Sequence, residues 1–312
     1  MPELHCETIT FPSSDGRHTS SAVLYTMPGK PVRAVLQLSH GMCEYVRRYA
    51  PMAEFYAAHG IALAGNDHLG HGKSLIAGKP MVYFGEKDGW WHVVDDIETL
   101  RAKVAKVFPD VPYFLFGHSM GSFLSRTHLI RYPGKLDGCI LCGTGHQPAA
   151  VIAGGKLIAD REIRRLGKHA FSVKADNLAF GAYNKAFAPN RTPFDWISAS
   201  TANVDAYIAD PLCGGNTTLG LFRDMLDGLT FITKQSNINQ MDKELPVFFI
   251  AGDQDPVGDM GKGVRKAHDC FKKAGIRDLN IKLYHGLRHE ILNEASRQYV
   301  YRDVLDWLEA RI

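Results

Sequence analysis

Short stretches of alternating apolar and polar residues open the chain at 5–11 and 22–27, joined through Ser13-Ser14-Asp15-Gly16. A period of two on either side of a polar turn predicts an antiparallel hairpin. From residue 34 the pattern changes to solid apolar runs at 34–38, 61–65, 113–116 and 138–142, separated by stretches of helical character at 52–59, 93–108 and 120–131. Uninterrupted apolar runs are strands buried on both faces. Their alternation with helices predicts an α/β fold with a mostly parallel central sheet flanked by helices. Pro133-Gly134 stops the helix that begins at Met120.

The rhythm breaks between residues 146 and 243, where helical or irregular segments rich in Ala, Phe, Asn and Asp follow one another without a strand-like run. It resumes with a strand at 247–251, a helix at 262–274, a strand at 279–284 and an amphipathic helix at 296–308. The expected organisation is a core of residues 1–145 and 244–312 with a helical cap inserted at 146–243.

Composition narrows the function classes. The 312 residues are 45% hydrophobic, enough for one sizeable core. The net charge is +3 and no run of five like charges occurs, so nothing asks for a nucleic acid partner. The six cysteines are scattered through a chain too large to need a disulfide framework, and are read as free thiols. The N-terminus lacks the apolar stretch of a signal peptide, and no segment reaches 18 uninterrupted apolar residues. A cytoplasmic protein is expected.

Chemistry enters at Gly117-His118-Ser119-Met120-Gly121, a G-x-S-x-G match lying between an apolar strand and a helix. Five letters decide little by themselves. The strand-turn-helix context gives them weight, because a serine in so sharp a turn needs glycines on both sides where main-chain atoms approach closely. A serine hydroxyl is a poor nucleophile near neutral pH and needs a base, with a third group to orient that base.

In this type of fold the acid and then the base follow the serine in sequence, each beyond a strand end. Ala251-Gly252-Asp253-Gln254-Asp255-Pro256-Val257 supplies two carboxylates after the strand at 247–251. Asp255 is favoured as the acid because it lies beyond the turn, which Asp253 is expected to stabilise through backbone amides. His289 is favoured as the base over His285, since it lies clear of the strand end; His285 is expected to end the strand or pack beneath the loop. Two amides must face the developing oxyanion. Met120, after the nucleophile, offers one, and Met42 in His40-Gly41-Met42 offers the other, with Gly41 letting the backbone fold against the site.

These segments, together with Asn66-Asp67-His68-Leu69-Gly70-His71-Gly72-Lys73-Ser74, Asp255-Pro256-Val257 and Gly286-Leu287-Arg288-His289, resemble the monoacylglycerol lipase and lysophospholipase branch of the α/β-hydrolases. The resemblance spans nearly the whole chain. In the cap, Arg191-Thr192-Pro193-Phe194-Asp195-Trp196 and Asp210-Pro211-Leu212-Cys213-Gly214 are similar to bacterial lysophospholipase-type members. It implies Ser119, Asp255 and His289 as a triad, with Met42 and Met120 as oxyanion donors and His40, Gly41, Gly117, His118 and Gly121 supporting them. It also implies hydrolysis of a monoacylglycerol, lysophospholipid or similar single-acyl ester through an acyl-enzyme, with no metal or organic cofactor. Two departures bear on the head group: Glu44-Tyr45 stands where Glu-His is frequent, and Met42 where a small residue is common.

Asp67-His68 and His71 lack the further ligands of a metal site and are read as loop residues bonding their own backbone. Cys139 and Cys142 lie within a strand, which makes them core. Cys43 directly follows a candidate donor, so its alkylation is expected to slow turnover. Leu157, Ile158, Phe180, Tyr183, Phe187, Phe194, Trp196, Leu219, Phe222, Met225 and Leu226 supply apolar surface in the cap, about a third of which is expected to line an acyl slot and the rest to pack the cap. A partly apolar outer cap would also allow transient contact with a membrane surface. The rival readings are a serine aminopeptidase or an acyltransferase on the same fold, and a ligand-binding receptor with vestigial turnover.

Overall fold

A computed structural model describes residues 3–312. The hairpin forms first, as β1 (His5–Pro12) and β2 (Thr19–Thr26), paired antiparallel from His5 opposite Thr26. The chain continues through β3 (Ala34–Ser39), α1 (Ala50–Ala58), β4 (Ile61–Asn66), α2 (Gly89–Val107), β5 (Tyr113–His118), α3 (Met120–Arg131) and β6 (Gly138–Cys142). Then come α4 (Ala149–Leu166), α5 (Val173–Ala179), α6 (Thr201–Ala209), α7 (Leu219–Thr233) and α8 (Gln235–Ile238). β7 (Val247–Gly252), α9 (Lys262–Ala274), β8 (Leu279–Tyr284) and α10 (Arg297–Glu309) close it.

The eight strands form one sheet in the order β1-β2-β4-β3-β5-β6-β7-β8, parallel from β4 to β8. Strands β3 to β7 are buried along their whole length, which is why their sequences read as solid apolar runs. Edge strand β8 alternates instead, with Asn280 and Lys282 exposed. On one face Tyr56 of α1 and Tyr301, Leu305 and Trp307 of α10 pack against Phe114, Ile140 and Phe248. The other face buries Leu115, Leu141 and Phe249 under α2, α3 and α9.

Between β6 and β7, strand-type pairing among the described residues is limited to a bridge between Phe171 and Thr218. Residues of that stretch share a cavity with Gly41, His118 and Gly145, at or just past the ends of β3, β5 and β6. Helix α7 packs on α4 and also reaches α3 and α2. The helix expected from residue 93 starts at Gly89, because Trp90 turns inward, donates its indole N–H to Thr127 at 3.1 Å and packs against α7. No helix among the described residues is long and apolar enough to cross a membrane.

Candidate functional site

Ser119 occupies the sharp bend between β5 and α3 with φ 54° and ψ −123°, a strained conformation for a residue with a side chain. The two glycines are explained by proximity. A methyl group at Gly117 would strike the Ser125 hydroxyl, and one at Gly121 would run into the carbonyl of Ser39. Close approach of α3 to the end of β3 thus brings Ser119 beside the loop that follows Ser39. A Cβ on Gly41 would lie 3.2 Å from that of Ser119.

That loop is held from behind. The His40 ring donates from Nδ1 to the Gly41 carbonyl at 2.7 Å, while Nε2 accepts the His68 amide at 3.0 Å. Burial pushes His40 down to about 4 and His71 to about 3, and holds His68 well below the usual imidazole range, so all three rings are neutral near pH 7. Asp67 accepts the amides of Val46 and Lys73, each at 2.8 Å. These residues tie backbone together, and among the described residues no group of three His, Cys, Asp or Glu side chains is arranged to hold a metal. The amides of Met42 and Met120 donate to no other group among the described residues. Both residues line the same cavity as Ser119.

His289 and Asp255 meet from the loops after β8 and β7. Nδ1 of His289 donates to the Asp255 carboxylate, 2.9 Å from Oδ2 and 3.0 Å from Oδ1, and both side chains are buried. Asp255 also accepts the Val257 amide at 2.9 Å. The Nδ1 bond leaves Nε2 to face the cavity that His289 shares with Ser119. No hydrogen bond joins Ser119 to His289 here; such contacts often tighten only around a bound substrate. Gly143, at φ 59° after β6, makes the room: a Cβ there would lie 3.1 Å from His289 Cε1. Sequence reasoning missed it, although a glycine at the end of a buried strand was the available signal.

Asp253, expected to bond the amides of its own turn, instead reaches the loop after β8 with its carboxylate, where it accepts the Gly286 amide at 2.9 Å and pairs with the His285 ring at 2.8 Å. His285 directly follows Tyr284 at the end of β8, the first of the two places expected for it, and does not pack beneath the loop. It lies on the surface with its side chain 97% exposed, because β8 is the outer strand and its end has nothing packed over it.

A buried polar network also escaped the sequence. Glu44 accepts the Gly41 amide at 2.6 Å and the Tyr49 hydroxyl at 2.8 Å, and pairs with His118 Nδ1 at 3.0 Å. Burial opposes the charge on both, but their mutual attraction prevails: Glu44 falls far below the carboxylate range and His118 rises above the usual imidazole value. Arg48 bridges Glu44 to Glu290, the neighbour of His289, at 3.2 and 2.6 Å. The thiol of Cys43 is buried against the Gly215 carbonyl, and burial pushes it up to about 12. A thiol held this way resists alkylation, which bears on whether Cys43 can be reached and not on whether its alkylation slows turnover. Cys139 and Cys142 are buried in β6, as expected.

The cavity measures about 640 Å³. Its floor includes Gly41, Met42, Ser119, Met120 and His289; its walls include Phe123, Ile152, Phe180, Tyr183, Phe194, Trp196, Phe222, Met225 and Leu226. Seven of the eleven apolar residues singled out between 146 and 243 face it, more than the expected third, while Leu157 is 72% exposed.

Residues 30–296 match the family described as serine aminopeptidase, S33. A monoacylglycerol lipase of Mycolicibacterium smegmatis is 27% identical over 290 residues, 91% of each chain. The human monoglyceride lipase is 25% identical over 292 residues, 92% of this chain and 86% of the relative. Among solved structures, a thermostable carboxyl esterase from Bacillus coagulans in complex with glycerol superimposes with a TM-score of 0.90 at 29% identity, covering 98% of both chains. Fold, sheet order and sequence match agree: the chain belongs to the serine aminopeptidase S33 family of α/β-hydrolases and is a monoacylglycerol lipase-like member of it.

Proposed function

We propose that the protein hydrolyses single-acyl carboxylic esters, monoacylglycerols or lysophospholipids among them, with Ser119 as nucleophile, His289 as base and Asp255 as the acid that orients it. The observation that carries this reading is the buried Asp255 to His289 bond, opening onto a cavity that also holds Ser119 at a strained elbow. Nε2 of His289 takes the Ser119 proton as Oγ attacks the ester carbonyl, and the amides of Met42 and Met120 receive the oxyanion. The proton then passes to the leaving alcohol. Water, activated by the same histidine, releases the acid. Residues 146–243 act as a cap whose apolar walls accept the acyl chain. The monoacylglycerol lipases and carboxyl esterase among its relatives support an ester substrate.

Hydrolysis of p-nitrophenyl esters and monoacylglycerols of graded chain length, by wild type and by Ser119→Ala, Asp255→Asn and His289→Ala, tests the reading. Medium or long chains are the expected preference, with turnover lost in all three variants. Full activity in Ser119→Ala overturns the mechanism, and stoichiometric capture without turnover would mark a receptor.

One observation favours a second reading. Asp176 lines the cavity, and its carboxyl is raised by burial, with no cationic side chain among the described residues bonded to it. Such a group would accept the free amino terminus of a peptide, as a serine aminopeptidase requires. Release of p-nitroaniline from aminoacyl p-nitroanilides, faster than from esters, would favour it.

A further inference from the structure

The loop that carries His289 is bound on both sides of the histidine to residues 195–200 of the inserted segment. Arg288 Nη1 donates to the carbonyls of Asp195 and Ser198, and its guanidinium lies 4.0 Å from the Phe187 ring centroid. The amide of Glu290 donates to the Ile197 carbonyl at 2.7 Å. Farther along, the Glu294 carboxylate accepts the amides of Ala199 and Ser200 at 2.8 and 3.2 Å. Between these bonds the Trp196 ring packs on the His289 ring with centroids 5.2 Å apart, and Trp196 is itself fixed by its amide to Asn184 Oδ1 at 2.9 Å.

A hydrogen bond at Nδ1 alone holds one corner of an imidazole and leaves the ring free to tilt about it, which swings Nε2 away from its target. Contact with ring faces removes that freedom. His118 supplies one such contact from the core at 4.9 Å, and Trp196 supplies another from the inserted segment. Misplacement of a reacting group by about 1 Å costs on the order of 100-fold in rate.

We infer that residues 195–200 form a clamp on the catalytic base, in which Trp196 is a positioning residue for His289 and not only a wall of the acyl cavity. This rests on the triad assignment of the proposed function and adds that the base is aligned only while the cap is seated. Displacing the cap would disarm His289 even for a substrate too short to touch the cap.

That consequence separates positioning from lining. Trp196→Ala is expected to lower kcat by about 10- to 100-fold for p-nitrophenyl acetate and for long-chain esters alike. KM should move far less, and Trp196→Phe should restore most of the rate. Labelling of Ser119 by a fluorophosphonate, which needs the aligned base but no ester, should slow in parallel. Arg288→Met, which releases the same segment, should reproduce both effects and decides the matter if Trp196→Ala does not fold. Loss confined to long chains, or to KM, overturns the clamp. A wild type that labels at Ser119 but cleaves no ester sinks the ester reading, while slower labelling of Trp196→Ala would still support the clamp. If wild-type Ser119 does not label, both fall.

Discussion

Oε1 of Glu44 stands 3.0 Å from Nδ1 of His118, so the residue just before the candidate nucleophile is half of a buried ion pair whose other half anchors the Gly41 amide. The pair makes stability depend on pH from both sides. His118 is raised above its ordinary 6.5, so its contribution is complete below 6.5 and is lost as pH rises through the folded value. Glu44 is depressed below 4.5, so its contribution is complete above 4.5 and is lost as pH falls. His118→Gln should therefore destabilise most between about pH 4.5 and 6.5, by about 3 kcal/mol. Urea unfolding across pH 4 to 9 checks it; a penalty independent of pH would mean that His118 is neutral.

The two carboxylates after β7 should separate cleanly. Asp255→Asn is expected to cost about 10⁴-fold in kcat, because an amide cannot hold the histidine in the tautomer that leaves Nε2 basic. Asp253→Asn should stay within about threefold, since Asp253 bonds only the Gly286 amide and exposed His285. Steady-state kinetics on one ester decides between them, and equal losses would count against the assignment of the acid.

How far these residues were legible in the sequence follows from the range of the forces that place them. Ser119 and Asp255 follow buried strands and His289 follows the alternating edge strand β8, each at a turn, and strand periodicity with turn residues is a local signal. The parallel sheet was legible for the same reason. The pairing of Glu44 with His118, the bond from Arg48 to Glu290, the contact of Trp196 with His289 and the grip of Arg288 on residues 195–200 were not. Each joins segments about 70 to over 240 residues apart in the chain, with geometry set only where distant loops meet in the folded chain. Which of the two places expected for His285 it takes was not legible either, because burial at a strand end depends on which strand is outermost, and periodicity does not record strand order.

His40 should matter to rate without titrating. Its Nδ1–H fixes the Gly41 carbonyl, and the rigid peptide plane then aims the Met42 amide. His40→Ala is expected to lower kcat by about 10-fold, less than loss of an oxyanion donor itself, with KM little changed. Since burial holds the ring near 4, the pH profile above 6 should keep its shape. A kcat equal to wild type would remove His40 from the support of the loop.

Cys43 should resist alkylation. With its thiol buried and pushed up to about 12, almost no thiolate exists at pH 8. Iodoacetamide on the native protein should modify the half-buried Cys6 and Cys270 first and leave activity intact, whereas all six cysteines should react in urea. Peptide mass spectrometry reads this directly; native labelling of Cys43 as fast as in urea would show the loop to be open.

Gly121 is the sharpest steric test of the elbow. In Gly121→Ala the new methyl meets the Ser39 carbonyl, a backbone atom within the sheet, so relief must come from moving α3 or the loop after β3. Either movement separates Ser119 from the Met42 amide, and the strained φ of Ser119 leaves no slack to absorb it. The variant should lose about 2 kcal/mol or more of stability and, in the folded fraction, at least about 10-fold in kcat. Gly154→Ala is the matched control: it too is a glycine within a helix and without a positive φ, and its new methyl meets no neighbour within 4 Å, so it carries the change in helix propensity without the collision. Thermal melts and kcat of the two variants, measured side by side, isolate the collision, and equal behaviour would refute it.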